Sequence, residues 1–188
     1  MSLLMEHMIG LTDTAYLGRV GEVELGASAL AGVYYLVIYM LGFGFSIGAQ
    51  VLIARRNGAQ EYKRIGPVFL QGTFFLLLLA ALLFTFSHLY SPFFLRKLID
   101  SDGVYQATME YVDWRVYGFF FSFVAVMFRA FYVGITKTRI LTINSVVMVL
   151  TNVMLNYVLI FGKFGLPALG IAGAAIASSV SELSLIHI

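Results

Sequence analysis

The 188-residue chain contains no cysteine. That excludes disulfide bonds, thiol catalysis and thiolate metal sites, and it leaves the redox state of the compartment unreadable from the sequence. Charge is scarce as well: only 12% of residues are Asp, Glu, Lys or Arg, where a soluble domain carries about 25%. The net charge of +2 is too small to point to nucleic acid as a partner. No Ser/His/Asp set, paired carboxylates or metal-spaced histidines occur, so nothing suggests an enzyme. The apolar start has no basic stretch ahead of it and does not read as a secretory signal. What is abundant is apolar surface, at 60% of residues and a mean hydropathy of +0.89. The chain reads as a polytopic, all-α integral membrane protein whose surroundings are a lipid bilayer.

A span needs about 20 apolar residues. Six segments qualify or nearly so: 1–17, 25–54, 65–95 with Pro92 ending the helix, 113–136, 140–161 and 164–181. The first is short, which places the expected start of its helix upstream of Met1. The tail, 183–188, matches what a common sequencing adaptor encodes in frame, so the six-helix unit is expected to occupy 1–182. Arg55, Arg56, Lys63, Arg64, Lys137 and Arg139 fall in loops on one side; Arg19, Arg96, Lys97 and Lys163 fall on the other. The denser set marks the cytoplasmic side. Helices one, three and five then exit outward.

Asp13 stands near the outer end of the first segment, in a chain whose two longest apolar runs, 25–54 and 65–95, hold no acid. A lone carboxylate in lipid costs a few kcal/mol unless paired or protonated. At about 1.5 Å per residue it lies roughly 7–8 Å below the outer exit at Gly18. Asn156 and Asn152, one turn apart on the fifth segment, lie roughly 9 and 15 Å below theirs, and Ser178 roughly 12 Å along the sixth. Asn and Ser in membrane helices commonly join helices by hydrogen bonds, and Thr12-Asp13-Thr14 also fits a helix cap. The shared depth favours a site for a hard cation, Na⁺ or H⁺, built from Asp13, Asn152, Asn156 and Ser178. Tyr35, Tyr39, Gln50 and Tyr157 are candidates for lining a cavity by cation–π or polar contact. Beyond Na⁺, no metal or organic cofactor is expected.

Other features take plainer readings. Gly42-Phe43-Gly44-Phe45-Ser46-Ile47-Gly48 lies inside a span, so Gly44 and Gly48 read as close helix packing rather than a dinucleotide loop. The Gly/Ala/Ser pattern from Gly170 to Ser179 reads the same way. Met127, Met148 and Met154 suit an adaptable wall or the core. Arg129 is expected either to snorkel to the cytoplasmic surface, the favoured reading, or to pair inside the lobe. Asp100-Ser101-Asp102-Gly103 reads as an outer-loop turn and His88 as interfacial.

Three stretches together carry a family resemblance over Met1 to Glu182. They are Thr12-Asp13-Thr14-Ala15-Tyr16-Leu17-Gly18-Arg19, Gly48-Ala49-Gln50 through Asn57-Gly58, and Asn152 to Gly162 followed by Gly165-Leu166-Pro167-Ala168-Leu169-Gly170 and Gly173 to Ser178. In order and spacing the chain resembles the multidrug and toxic-compound extrusion (MATE) family of cation-coupled antiporters. The resemblance implies a twelve-helix protein of two six-helix lobes around a substrate cavity, of which this chain is the N-terminal lobe. It implies export of organic cations or drugs across the bacterial cytoplasmic membrane, driven by Na⁺ or H⁺, with a C-terminal lobe of the same polypeptide as partner. Asp13 and Asn152 match ligand positions of the family's N-lobe cation site, and Ser178 falls near a Thr of it. Asn156 departs from the pattern, standing where some members carry a second carboxylate. The alternatives are an exporter of lipid-linked sugars, which needs several basic residues in its cavity, and a non-catalytic membrane assembly protein.

Overall fold

The computed structural model describes residues 2–184, with side chains from Gly10 to Leu183. Seven α-helices make up these residues: α1 (Ser2–Leu17), α2 (Glu22–Gly58), α3 (Ile65–Leu98), α4 (Asp102–Arg115), α5 (Gly118–Gly134), α6 (Thr138–Phe161) and α7 (Gly170–Ser184). A single 3₁₀ turn, Tyr62–Arg64, leads into α3. Three helical stretches, Glu22–Gly58, Tyr62–Leu98 and Thr138–Phe161, are each long and apolar enough to cross a bilayer. The expected fourth span is instead two helices, α4 and α5, bent by 54°. It begins at Asp102, well before the expected start at Asp113, so Asp102 opens a helix rather than sitting in a turn. With the bent pair counted as one span, four stretches of the described residues are long and apolar enough to cross a bilayer, and α1 and α7 are shorter. The tail expected at 183–188 lies outside the described residues except for Leu183 and Ser184, which continue α7.

Pro92 does not end α3, which continues to Leu98. A proline costs a helix its i−4 hydrogen bond. Here Tyr105 Oη donates to the Pro92 carbonyl at 3.4 Å from α4, and the outer end is held by the Arg96–Asp102 ion pair at 2.6 Å. At the start of α3, Arg56 donates to the Arg64 carbonyl at 2.6 Å, which closes the short α2–α3 turn.

The helices form two packed groups. One holds α1, α6 and α7; the other holds α2, α3, α4 and α5; α7 joins them through α4 and α5. The central knob is the face of α5 that carries Phe119, Phe123 and Met127, all fully buried. Opposite them lie small residues. A Cβ on Gly42 would sit 2.7 Å from the Phe123 ring, and one on Gly72 would sit 2.7 Å from the Met127 methyl. Close packing therefore falls on Gly42, not on Gly44 and Gly48, which face open space. The pattern expected in α7 does pack closely: a Cβ on Gly173 would meet the Leu159 carbonyl at 2.8 Å.

The outside of the bundle is inverted relative to a soluble protein. Phe74, Leu78, Leu82 and Leu89 form an exposed apolar stripe on α3, and Val33, Leu36, Val37 and Met40 one on α2. In water such patches mark association or insolubility; in a bilayer they are the lipid-facing surface. His88 is exposed and stacks on Phe84. Met148 is core, whereas Met154 is exposed. Arg129 is half-buried, and its guanidinium lies over the Phe43 ring at 5.3 Å.

Candidate cation site

Asp13 lies one turn before the end of α1 and is buried, the residue 9% exposed. What it faces is set by the α6–α7 connection. Gly162 closes α6 in the left-handed conformation, φ 62°, where a Cβ would sit 2.5 Å from the Ala168 nitrogen. The Leu169 amide then returns to the Leu159 carbonyl at 2.9 Å, and Gly173 lets α7 lie against the α6 backbone. This turn brings Ser178 level with Asn152 and Asn156.

The four polar groups expected to share a depth are in direct contact. Asn156 Nδ2 donates to Asp13 Oδ1 at 2.5 Å, Asn152 Nδ2 to the same oxygen at 3.3 Å, and Ser178 Oγ to Asp13 Oδ2 at 2.7 Å. The two amides are linked to each other, Asn156 Nδ2 to Asn152 Oδ1 at 3.0 Å, and Asn152 Nδ2 also reaches Ser178 Oγ at 3.2 Å. Asn152 and Asn156 are fully buried. Every contact to Asp13 is a donor, which suits an ionised carboxylate. The carbonyl oxygen of Asn156 is buried and has no partner. A buried amide oxygen left unpaired costs free energy, so it is a ready ligand for any cation that arrives.

A cavity of about 450 Å³ opens beside Asp13 between α1 and α2, walled also by Gly10, Thr14, Ser28, Gly32 and Tyr111. Among the described residues, Asp13 is the one charged residue in that wall. The four residues expected to line a cavity lie elsewhere. Tyr35 is drawn into a separate network, and Tyr39 stacks between Tyr35 and Phe43. Gln50 is half-buried two turns from the end of α2, and Tyr157 is exposed, its ring edge toward Phe161.

That separate network went unforeseen. Arg115, at the end of α4, is buried and makes a two-pronged ion pair with Glu182 of α7. The guanidinium also donates to Ser179 Oγ at 3.2 Å and lies flat on the Tyr35 ring, 3.8 Å from its centre. Tyr35 Oη donates to Ser122 Oγ at 2.9 Å and approaches Glu182 Oε2 at 3.2 Å. Gly118, just past the bend, makes room: a Cβ there would meet Arg115 Nη1 at 2.4 Å. One signal was available. Glu182 follows Ser178 by one helical turn, so the two share a face of α7.

Apolar helices long enough to cross a bilayer, enclosing an inward carboxylate and amide cluster beside a cavity, mark an integral membrane protein with a buried polar site. A profile of the MatE family matches residues 1–158, and the chain belongs to that family. Over 171 residues it is 32% identical to a probable multidrug resistance protein NorM of Synechocystis, covering 90% of this chain and 36% of that protein. It is 28% identical to the protein of the same description from Bacillus subtilis, covering 93% and 38%. The chain thus spans under two fifths of the curated relatives it matches. A crystal structure of MATE in the bent conformation superposes with a TM-score of 0.90 at 19% identity, covering 99% of this chain and 41% of that one. An inward-facing MATE-family multidrug resistance transporter of the MOP superfamily superposes at 0.87 and 20% identity, covering 95% and 40%.

Proposed function

We propose that this chain is the N-terminal lobe of a cation-coupled antiporter that exports organic cations across a bacterial cytoplasmic membrane. In this reading Asp13, Asn152, Asn156 and Ser178 bind the coupling ion, Na⁺ or H⁺, and a C-terminal lobe completes the substrate path. The observation that carries it is the buried Asp13 carboxylate, held only by donors from α6 and α7, next to an unpartnered amide oxygen and an open cavity.

The chemistry follows from the amide groups. With the site empty, the two amide nitrogens and the Ser178 hydroxyl stabilise the negative carboxylate. When a proton or Na⁺ arrives, rotation of the Asn156 side-chain amide replaces an N–H by a carbonyl oxygen, which accepts from a protonated carboxyl or ligates the ion. The hydroxyl oxygen and the Asn152 carbonyl add hard ligands. Loading therefore rearranges contacts among α1, α6 and α7, and an ion that favours one arrangement of these helices shifts the lobe toward it. An organic cation in the cavity competes for the same negative charge, which couples its release to ion entry. An exporter of lipid-linked sugars fits less well, because among the described residues no basic side chain faces this cavity.

The test is Asp13→Asn in the polypeptide that carries both lobes. Efflux of a fluorescent organic cation is expected to fall to the level of cells lacking the protein, with membrane expression unchanged. Undiminished efflux would overturn the assignment.

A further inference from the structure

Asp13 and Arg115 are the buried charged residues among those described, and Glu182, with a side chain 17% exposed, is nearly so. From its position on α7, Glu182 lies roughly 18 Å along the helix from Gly170, which places the pair well within the bundle. Buried charges in a low-permittivity interior are costly unless they cancel. Arg115 and Glu182 cancel each other, leaving one net negative charge, on Asp13. Arg129, half-buried, lies over Phe43 and roughly 16 Å along α5 from Gly118.

The two charge centres are not independent. Ser178, which donates to Asp13, is followed on α7 by Ser179, which accepts from Arg115, and Tyr111, in the cavity wall beside Asp13, lies one turn before Arg115 on α4. Arg115 is thus a tethered cation with two acids in range. It is committed to Glu182 by the two-pronged pair, by Ser179 and by the face of Tyr35.

We infer that the Arg115–Glu182 pair sets the number of cations the lobe takes, by withdrawing the built-in positive charge from Asp13 and leaving room for one monovalent ion. The inference rests on the reading of Asp13 as the ion site and adds two positioning residues that do not touch the ion. It makes predictions of opposite sign. Without the Glu182 charge, Arg115 compensates Asp13 and the ion is no longer needed. Without the Arg115 charge, Glu182 becomes a second uncompensated carboxylate and a second ion enters.

The experiment uses the polypeptide that carries both lobes, purified into lipid nanodiscs, with radioactive sodium binding and, in the same samples, proton uptake on acidification, each counted relative to Asp13→Asn. Folding is checked by circular dichroism and gel filtration. The wild type is expected to take one monovalent cation. Glu182→Gln is expected to weaken that binding on the order of tenfold or more, the scale of effect of a nearby unit charge at an effective permittivity of about 20. Arg115→Gln is expected to bind two, and the double variant one. Where Arg115→Gln does not fold, Glu182→Gln carries the test alone. A wild type that takes one ion, with Glu182→Gln unchanged in affinity and stoichiometry, overturns this inference and leaves the Asp13 site standing. A wild type that takes neither sodium nor a proton overturns the Asp13 reading and this inference with it.

Discussion

Asn156 touches Asp13 at 2.5 Å, so the side chain at this position decides how much negative charge the site holds. Asn156→Asp would put two carboxylates in contact, and two such groups cannot both stay ionised without a cation between them. The variant is expected to bind one additional proton per chain near neutral pH, measurable as extra proton uptake in nanodiscs, or to bind sodium more tightly than the wild type. Unchanged uptake and affinity would place residue 156 outside the ion's reach. The polar cluster was legible before any coordinates because depth in a membrane helix follows from counting residues, and Asp13, Asn152, Asn156 and Ser178 count to the same band. Arg115 and Glu182 were not legible in that way. Each lies near the end of an apolar run, where a charged residue ordinarily reaches water, and only the bend between α4 and α5 turns them toward each other.

The helices themselves were mostly readable from apolar length, yet their packing was not. Gly42, Gly44 and Gly48 look alike in sequence, but only Gly42 faces the Phe123 ring. Which glycine of a run meets a neighbour depends on the rotation of α2, and an all-apolar helix gives no polar face from which to read it. The break after Arg115 was hidden for a similar reason: no proline marks it, and the Gly118 beside it, which leaves space for the guanidinium, is one small residue among many in the chain. The packing yields a contrast. Gly42→Ala must push the Phe123 ring aside and is expected to cost about 1–3 kcal/mol, the usual range for overpacking a core. Gly44→Ala meets open space and gains helix propensity, so it is expected to be neutral or stabilising by up to about 1 kcal/mol. Thermal unfolding of the two variants in the same detergent checks the pair, and equal melting temperatures would contradict the placement of Phe123.

Across the whole molecule, the site has a direction as well as a composition. If the loop carrying Arg55, Arg56, Lys63 and Arg64 is cytoplasmic, then Asp13 and the α6–α7 turn lie in the outer half, and the ion enters from outside, down its gradient, as an antiporter driven by inward Na⁺ or H⁺ requires. The opposite orientation would place the same carboxylate near the cytoplasm and demand another mechanism. The absence of cysteine makes the direction measurable without first altering the chain. Lys63→Cys and Lys163→Cys replace exposed loop residues at the two ends of the bundle. A membrane-impermeant maleimide is expected to label Lys163→Cys in intact cells and Lys63→Cys only after permeabilisation. The reverse pattern would keep the pocket and its hydrogen bonds but would reverse the side from which the coupling ion reaches Asp13, and the antiport reading would then have to be abandoned.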